Sequence, residues 1–512
     1  MRCRWTAVVA FALVVAMAVT AAPTVQAQDR VKTKEVVVGL AAEPRTLLAV
    51  TIVDWTTNAQ IEHIYDRLLD RDAKTLKPKP MLATSFKVVN DTTWEFTLRK
   101  GVKFHNGEPF DAQSIKATMD YLQDPATKSH YAAYWKLVKE VQIVDAYTVR
   151  FVTDKPWPSL IDRASLTDFL VLPAKALKEQ GPQKLAEHPI GTGPFKFVEW
   201  KRDERLVVER NPDYWAGPAE VNRVTFRFIP EFSARMAALL SGEIDIMKDV
   251  PPHAVDAIER SGRARIRSAV SSRINYLALV NLKPGPMQDL RVRRAMNHAV
   301  DVDELIAQVL KGRASKICGP LSPANVDFAK VDCYKYDPAR AQALFKEAGI
   351  DPKTLALTLD TPSGRYPLDK DVSLAIGAQL QRLGIKTNVV VNEWGTHLDK
   401  VKNRNTGDMF FLGWGPSVFG QGVIEPLFQA NQTYSSYGNN KAIDEKIARV
   451  ISIVDAKGRA AGYAELQQMI HDEAPWVPLW QQHDLYGVAQ TVDWTPRADE
   501  KVWIYDAKIV AR

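Results

Sequence analysis

The spacing of apolar residues changes repeatedly along this chain between the period of a strand and the period of a helix. Residues 34–40, "KEVVVGL", form an apolar run that predicts a short buried strand. Trp94, Phe96 and Leu98 alternate with polar residues, which predicts a half-buried strand. The turn signal in "HNGEPF" (105–110) then separates this strand from a stretch with helical spacing.

Stretches with helical spacing continue through the rest of the chain. In residues 56–72, "TTNAQIEHIYDRLLDRD", the apolar positions share one face, which predicts an amphipathic helix with a threonine cap. Residues 231–247 predict a helix, a stop at Gly242 and a strand. Residues 365–391 and 458–480 each predict a helix that runs into a strand. Interleaved helices and short strands without an internal repeat predict a mixed α/β fold.

The first 27 residues have the pattern of a secretory signal peptide. "MRCRW" supplies two arginines, residues 7–22 carry no charge, and Val25 and Ala27 are the small residues that a signal peptidase requires. The apolar run is short for a membrane span, although an uncleaved anchor is the alternative. We predict cleavage after Ala27 and export of a mature, unanchored protein to the periplasm.

Composition and charge exclude several classes of protein. The 512 residues are 46% apolar and 25% charged, without a low-complexity tract, so a disordered or fibrous protein is excluded. Without Arg2 and Arg4, the chain has 65 basic and 60 acidic residues. Because the basic residues are dispersed among acids, we expect no nucleic-acid partner.

Two cysteines remain after the predicted cleavage, Cys318 and Cys333. The loop between them contains Gly and Pro, and a disulfide across it suits an exported protein. Free thiols are the alternative, and a zinc site is disfavoured because no histidine or further cysteine lies nearby. Cys3 precedes the apolar run and therefore cannot be a lipid-attachment site after cleavage.

Motifs for catalysis or cofactor binding are missing from the sequence. There is no nucleotide-binding P-loop, no HExxH zinc motif and no GxSxG nucleophile elbow. Gly191 and Gly193 are followed by a predicted strand, so a crossing between domains explains them better than a phosphate loop. The nine histidines are scattered. We therefore expect a binding protein without metal or cofactor.

Several stretches together resemble one known family. Residues 93–122, "TWEFTLRKGVKFHNGEPFDAQSIKATMDYL", closely resemble the signature segment of family 5 extracellular solute-binding proteins, the dipeptide-, oligopeptide- and nickel-binding group that feeds ABC importers. The similarity continues, in the family's order, through "HPIGTGPFKFVEW", "RNPDYWAGPAEVNRVTFRFI", "LRVRRAMNHAVDVDELI" and "YDPARAQALFKEAGI".

The resemblance implies a two-lobed periplasmic binding protein fold of type II, with an extra domain and a ligand cleft between lobes that close by a hinge. On this basis we expect domain I at 28–70, 190–275 and 488–512, domain II at 71–189 and domain III at 276–487. The implied partners are a small-molecule or peptide ligand and the transmembrane permease subunits of an ABC importer, and we expect a monomer.

The stretch "FFLGWGPSVFG" (410–420) is the strongest candidate for a ligand contact. "DMFFLGW" predicts a buried strand that ends at Trp414, and strand ends face the cleft in such folds. The indole offers a flat wall with one N–H donor, and Gly415 permits close approach of backbone and ligand; core packing of Trp414 is the alternative. Dipeptide-binding members have an aspartate soon after this tryptophan that holds the ligand's α-amino group, whereas the first acid here is Glu425.

Three further residues complete the predicted substrate-binding set. Arg365 lies in a glycine-containing loop before a helix, where its guanidinium could bind a carboxylate; a salt bridge to Asp369 or Asp371 is the alternative. We also assign Trp55 and Tyr134 to this set. The main functional prediction is a periplasmic importer subunit that captures a peptide-like or other polar organic solute. The alternative is a secreted enzyme or a receptor or chaperone variant on the same scaffold.

Overall fold

A computed structural model describes residues 29–51, 55–415, 417–438 and 440–510. The predicted signal peptide, residues 1–27, lies outside the described residues. Over the described ranges, no helix is both long and apolar enough to cross a bilayer. Helices and strands interleave, which confirms the predicted α/β class.

The strands are β1 (Glu35–Leu40), β2 (Leu69–Arg71), β3 (Pro78–Pro80), β4 (Ala83–Asn90), β5 (Thr93–Leu98), β6 (Val138–Asp145), β7 (Thr148–Thr153), β8 (Phe195–Lys201), β9 (Arg205–Arg210), β10 (Arg223–Phe228), β11 (Ile246–Met247), β12 (Ala264–Leu279), β13 (Ala314–Lys316), β14 (Ala356–Pro362), β15 (Lys386–Asn392), β16 (Met409–Trp414), β17 (Trp476–Ala489), β18 (Val492–Asp493) and β19 (Lys508–Ile509).

The α-helices are α1 (Trp55–Ile61), α2 (Ala112–Gln123), α3 (Ala132–Trp135), α4 (Leu160–Arg163), α5 (Ala174–Glu187), α6 (Phe232–Ser241), α7 (Val255–Arg260), α8 (Leu290–Ala299), α9 (Val302–Glu304), α10 (Pro338–Glu347), α11 (Asp369–Arg382), α12 (Trp394–Lys402), α13 (Gln421–Phe428), α14 (Lys441–Val450) and α15 (Ala456–Glu473).

One large sheet of 11 strands runs through the molecule, in the order β15-β14-β16-β12-β17-β11-β1-β10-β9-β8, with β13 paired to β17 beside this path. At one end β1 runs parallel to β10 and β11, and at the other β14 runs parallel to β15 and β16. The long strands β12 and β17 are antiparallel to each other and join these two parts. The sheet therefore consists of two α/β halves with a shared centre.

The pairing of β12 with β17 is interrupted where the two halves meet. Residues 264–270 pair with 483–489 in the first half, and residues 274–278 pair with 476–481 in the second. The register shifts between Val270 and Ile274, and we call residues 271–273 the crossover segment. Because a bulge breaks the ladder at this point, the two halves are joined by few backbone hydrogen bonds there.

Apolar side chains form separate clusters on the two sides of the crossover segment. In the first lobe, one cluster includes Val38 and Phe96, and a smaller one surrounds Ile244. In the second lobe, Phe411 belongs to the cluster on one face of the sheet and Phe410 to the cluster on the other. This alternation follows from the two-residue period of a strand, and each lobe therefore has its own core.

The four-stranded sheet β4-β5-β7-β6 adds a layer to the first lobe. Trp94 and Phe96 on β5 are buried, in agreement with the alternation seen in the sequence. The carboxylate of Asp111 caps α2 by accepting the backbone N–H of Gln113 at 2.9 Å. The helix α2 that follows this cap packs against β6.

The predicted helix over residues 56–72 is wrong beyond Ile61, where α1 ends. The carbonyl of Ile64 accepts the N–H of Gly193 at 2.9 Å, and that of His63 accepts the N–H of Phe195 at 3.0 Å. These long-range bonds occupy carbonyls that a continuing helix would use. A Cβ on Gly191 would lie 2.0 Å from the Ile64 carbonyl oxygen, so close backbone packing explains the glycine.

Candidate functional site

Trp414 is the last residue of β16, beside the crossover segment, and it is half-buried while the rest of β16 is buried. Its indole Nε1 donates to the carbonyl oxygen of Gly422 at 2.8 Å. In α13 that carbonyl lacks a helical partner, because the residue four positions later is Pro426, which has no N–H. The expectation that the indole N–H faces the ligand is therefore wrong, and only the ring surface remains for contact.

Glycine is needed on either side of Trp414 because neighbouring residues of the protein leave no room for a Cβ atom. A Cβ on Gly415 would lie 2.8 Å from the Cα of Arg273, in the crossover segment. A Cβ on Gly413 would lie 2.6 Å from Cε1 of Tyr366. The end of β16 is thus packed directly on the junction of the two lobes, which fixes the position of the indole relative to that junction.

Aromatic side chains of both lobes lie in the neighbourhood of Trp414. Trp414 meets Tyr434 edge to face, with 5.0 Å between ring centroids, and both belong to the second lobe. Tyr134, on α3 of the first lobe, is 39% exposed. Burial, and secondarily the neighbouring Tyr134, raises the pKa of Tyr434 to about 12. We call Trp414, Tyr434 and Tyr134 the aromatic cluster; its ring contact is between Trp414 and Tyr434, and Tyr134 is linked to it through the effect on the pKa of Tyr434.

An arginine covers the ring of Tyr134 at the end of α4. The guanidinium carbon of Arg163 lies 4.5 Å from the ring centroid. One nitrogen, Nη1, donates to Oδ2 of Asp168 at 3.1 Å, and the Arg163 side chain remains 24% exposed. Burial raises the pKa of the Asp168 carboxyl to about 6, against the opposing effect of Arg163. This pair gives the first-lobe face of the cleft a positive group with a buried counterion.

The loop after Trp414 makes the apolar contact between the lobes. Val418 and Phe419 form a small cluster with Leu76 and Ala498 of the first lobe. Burial raises the pKa of the Asp162 carboxyl, and Arg71, Arg163 and the backbone N–H of Phe419 from the other lobe oppose this rise. The two lobes are therefore in contact across the cleft at residues 417–420.

Cys318 and Cys333 form a disulfide in the structure, with 4.6 Å between their Cα atoms. The loop that they close supports residues 417–420: Nδ2 of Asn325 donates to the carbonyl of Ser417 at 2.7 Å, and Oδ2 of Asp327 accepts the N–H of Gly420 at 2.8 Å. This loop therefore holds the segment that contacts the other lobe.

Arg365 adjoins the site through its aromatic neighbours. Its guanidinium carbon lies 5.0 Å from the ring centroid of Tyr366 and 5.2 Å from that of Trp394. Asp369 does not bind the guanidinium; its carboxylate accepts backbone N–H groups, including that of Arg365 at 2.9 Å. Over the described residues, no carboxylate forms an ion pair with Arg365, so the salt-bridge alternative is wrong.

Trp55 begins α1, but its side chain is outside what the structure describes. The structure therefore neither joins Trp55 to the aromatic cluster nor separates it from the cluster.

No group of three or more His, Cys, Asp or Glu side chains in the described ranges could hold a metal ion.

A second polar centre lies at the crossover segment. Arg273 donates two hydrogen bonds to Glu500 from one edge of its guanidinium, with Nε–Oε1 and Nη2–Oε2 distances of 2.7 and 3.0 Å. The hydroxyl of Ser271 donates to the same carboxylate at 2.8 Å. Burial opposes ionisation of Glu500, but Arg273 and other cations hold its pKa at about 2. We call Arg273, Glu500, Ser271 and the nearby buried Asp484 the crossover cluster.

Sequence reasoning missed Arg163, Asp168, Tyr434 and the crossover cluster. Each depends on contacts between residues that are far apart along the chain, and none lies in a recognisable motif. Pro426 within an apolar helical stretch is the one local signal, since it leaves the carbonyl of Gly422 available to the Trp414 indole.

Two α/β lobes, joined by paired central strands and separated by an aromatic cleft, define a two-lobed periplasmic binding protein. The model of the bacterial extracellular solute-binding proteins of family 5 (middle region) matches residues 77–435, and the chain belongs to this family. It is a substrate-binding protein of an ABC importer.

Individual relatives agree with this assignment. The chain is 27% identical over 471 residues to the glutathione-binding protein GsiB of Salmonella paratyphi A, covering 90% of this chain and 91% of the relative. The structure of DppA from Helicobacter pylori in complex with the peptide STSA matches with a TM-score of 0.79 at 26% identity, covering 93% of this chain and 98% of DppA. CtaP of Listeria monocytogenes, at 21% identity, shares the fold, with a TM-score of 0.85 over 93% of this chain and 99% of CtaP.

Proposed function

We propose that this protein captures a small, peptide-like or other polar organic solute between its two lobes, against the aromatic cluster, and delivers it to the permease of an ABC importer. The observation that supports this site is the ring contact of Trp414 with Tyr434 beside the crossover segment, with Tyr134 of the other lobe near enough to Tyr434 to affect its pKa. Flat rings on opposite walls select a ligand by shape and stacking.

The aspartate that holds the ligand's α-amino group in dipeptide-binding members has no counterpart soon after Trp414, so a simple dipeptide would have to be held differently here. The described residues of the loop after Trp414 provide no carboxylate before Glu425, and Glu425 accepts a hydrogen bond from Gln421 at 2.7 Å. Relatives include proteins named for binding glutathione and a structure with a bound peptide. These names support a solute with amide bonds and polar ends.

Arg365 is a proposed second contact at this site. Its half-buried guanidinium lies over two aromatic rings, and it helps to lower the pKa of Glu500, behind the larger effect of Arg273. We expect Arg365→Ala to weaken binding of the natural solute by more than about twofold, since a charge-assisted hydrogen bond would be lost. An affinity within about twofold of the wild-type value contradicts this role.

Export, a mature start near Gln28 and a monomeric state are parts of the same proposal. Family members are extracellular proteins, and the amino-terminal pattern described above supports cleavage near Ala27. N-terminal sequencing of the periplasmic protein should begin near Gln28, and light scattering should give the mass of one chain. Retention of Met1 or a lipid-modified cysteine would contradict the cleavage.

The division into domain I (28–70, 190–275 and 488–512), domain II (71–189) and domain III (276–487) also stays a prediction. Separate apolar clusters on either side of the crossover segment support the separation of domain III, whereas one cluster is shared by domains I and II. Expression of residues 276–487 alone should yield a folded unit if the boundary is right, as judged by a cooperative thermal transition.

Mass spectrometry of the solute that co-purifies from the periplasm tests the central proposal. We expect a single class of small organic solute, released on unfolding and bound again by the refolded protein without chemical change. Turnover of that solute by the purified protein would favour the secreted-enzyme alternative. A protein that carries no solute and binds none from a periplasmic extract would contradict solute capture.

A further inference from the structure

We propose that a cavity in the second lobe is a second binding site, for a small organic carboxylate, and that Tyr434 couples this site to the cleft. The cavity has a volume of about 90 Å³, which is room for about three water molecules or one small organic ion. Its lining comes from the ranges 280–283, 401–410 and 434–436, all of the second lobe. We call it the second-lobe cavity. Only the coupling rests on the proposed capture of a solute; the site itself does not.

The second-lobe cavity is set back from the crossover segment. Phe410, in its lining, pairs with Ala278 on β12. Trp414 pairs with Ile274, four residues nearer to the crossover segment, which corresponds to about 13 Å along a strand. Tyr434 links the two places, because it lines the cavity and its ring meets that of Trp414 with 5.0 Å between centroids.

Two positive side chains of this cavity have no negative partner. Nζ of Lys283 donates to the carbonyl of Thr406 at 2.8 Å, and Nη2 of Arg404 donates to the carbonyl of Gln432 at 3.4 Å. Over the described ranges, neither side chain forms an ion pair, and no Asp or Glu lines the cavity. The carboxylate of Asp408, close by in sequence, bonds to the backbone of β14 instead. Two uncompensated positive charges at one cavity attract an anion.

Arg404 occupies a backbone position at which glycine is the usual residue. It is in the left-handed region, with a φ of 58°, directly after the last turn of α12. Its N–H donates to the carbonyl of Val401 at 3.1 Å, and the N–H of Asn405 donates to the carbonyl of Lys400 at 2.8 Å. These two bonds form the helix-ending motif that normally carries glycine here. An arginine costs backbone strain that glycine would avoid, so a role for its side chain in the cavity accounts for its presence.

The lining of the cavity matches a carboxylate with a short apolar part. Ser436 is 3% exposed, and its Oγ is buried without a hydrogen-bond partner among the described residues, so its hydroxyl has a free donor. Together with the ammonium and guanidinium groups, it offers donors to the oxygens of an anion. Val280 and Phe410 add buried apolar surface, which an aliphatic chain covers and a phosphate does not. A short aliphatic carboxylate is therefore the ligand class that fits.

Binding in this cavity should strengthen solute binding in the cleft. A carboxylate packed beside Tyr434 limits the movement of that ring against Trp414. A solute that then binds against Trp414 meets a wall that is already ordered, and less conformational entropy is lost on binding. The coupling is reciprocal, so the solute strengthens carboxylate binding by the same factor.

NMR titration of the purified protein with propionate tests the site. Propionamide, the uncharged analogue, and inorganic phosphate are the comparison probes, at a constant ionic strength set with chloride. We expect saturable binding of propionate and none of propionamide. Lys283→Gln should weaken propionate binding by about threefold or more, the scale of a partly exposed ion pair.

A substitution that relieves strain separates binding from folding. Arg404→Gly restores the usual residue, so the thermal midpoint should not fall, while propionate binding should weaken by about threefold or more. Lys128→Gly is the matched control, because Lys128 is also a positive residue in the left-handed region, with a φ of 52°, at the end of a turn in the first lobe. Lys128 does not line the cavity, so its variant should bind propionate as the wild type does.

The possible outcomes separate the site from its ligand class. No saturable binding of either anion, or equal propionate binding by the wild type, Lys283→Gln and Arg404→Gly, overturns the site. Equal binding of propionamide overturns the recognition of charge. Saturable binding of phosphate without binding of propionate overturns the carboxylate and makes the cavity a phosphate site.

The affinity for the co-purified solute, measured with and without saturating propionate, tests the coupling. We expect a rise of about fivefold or more in the wild type, the low end of ordinary coupling, and the same rise in Arg404→Gly only at a higher propionate concentration. An unchanged solute affinity in the wild type overturns the coupling and keeps the site. A protein that captures no solute contradicts the proposed function, and the coupling with it, whereas the propionate titration is independent of both.

Discussion

Two arginine–carboxylate pairs lie near the cleft, and they are built differently. Arg273 and Glu500, in the crossover cluster, are 4% and 5% exposed, and one edge of the guanidinium donates two hydrogen bonds to the carboxylate. Arg163 and Asp168, beside the aromatic cluster, share one hydrogen bond, and the arginine is 24% exposed. The same two functional groups are thus closed to outside partners in one place and open to them in the other.

The difference should appear in how much each pair contributes to stability. A buried pair with its donors satisfied has nothing to offer a ligand, but loss of either partner leaves a charge without compensation. In the second pair Asp168 is as buried as Glu500, but Arg163 is partly exposed and gives it only one hydrogen bond. The predictions below test this contrast, in order of decreasing effect.

Arg273→Ala should cause the largest loss of stability. We expect the free energy of unfolding to fall by roughly 3–5 kcal/mol, because Glu500 would remain buried and unpaired. Chemical denaturation of the ligand-free protein measures this change. The double variant Arg273→Ala with Glu500→Ala should recover part of the loss, and a loss below about 1 kcal/mol for the single variant would show that the pair is not structural.

Removal of the disulfide should have the next largest effect. Replacing Cys318 and Cys333 with serine should lower the free energy of unfolding by about 3 kcal/mol on the chain-entropy model, since the bond closes a loop with a sequence separation of 15 residues. Because that loop holds residues 417–420 through Asn325 and Asp327, solute affinity should fall as well. Thiol titration of denatured, unreduced protein that finds two free thiols would contradict the bond itself.

Trp414→Ala should weaken solute binding by roughly 1–3 kcal/mol and should change the stability of the ligand-free protein much less than Arg273→Ala does. The reason is that Trp414 is half-buried and contacts Tyr434 at the cleft. Calorimetry and thermal unfolding of the same samples separate the two effects. Unchanged affinity together with a loss of several kcal/mol in stability would place Trp414 in the core instead.

Local patterns predicted the parts of this molecule that depend on neighbouring residues. The strand that ends at Trp414 and the stop at Gly242 after α6 both occur as expected, because strand period and the left-handed glycine are local properties. The helix predicted over residues 56–72 failed because the carbonyls of His63 and Ile64 bond to a segment far along the chain.

The residues of the candidate site also fall into those that local sequence patterns indicate and those that only long-range contacts bring together. Trp414 could be proposed from the sequence because strand, glycines and aromatic ring are adjacent there, whereas Arg163 carries no local signal that it will cover Tyr134. Arg273 likewise becomes significant only when β12 and β17 pair and bring Glu500 to it. Tertiary contacts between ordinary residues, and not unusual residues, build both clusters.

The smallest effect that we expect is on the pH dependence of stability, and it tests the crossover cluster through Asp484. Burial, reinforced by repulsion from Glu500, raises the pKa of the Asp484 carboxyl to about 7; Lys248 and a hydrogen bond from Gln482 oppose the rise. The folded state therefore binds a proton that the unfolded chain, with its ordinary lower pKa, releases. Stability from this group falls as the pH rises from the unfolded pKa through about 7.

Asp484→Asn removes this titration without changing the size of the side chain. From about pH 6 to about pH 8 the wild type should lose about 1 kcal/mol relative to the variant, as the buried carboxyl is forced to ionise. Other raised carboxyls, such as Asp66 and Asp168, titrate in both proteins, so the difference between the two pH profiles isolates Asp484. Asp120→Asn, an exposed change on α2, is the control and should give a profile parallel to the wild type. Parallel profiles for Asp484→Asn as well would mean that Asp484 stays ionised in the folded state, and that the crossover cluster is less closed to water than its contacts indicate.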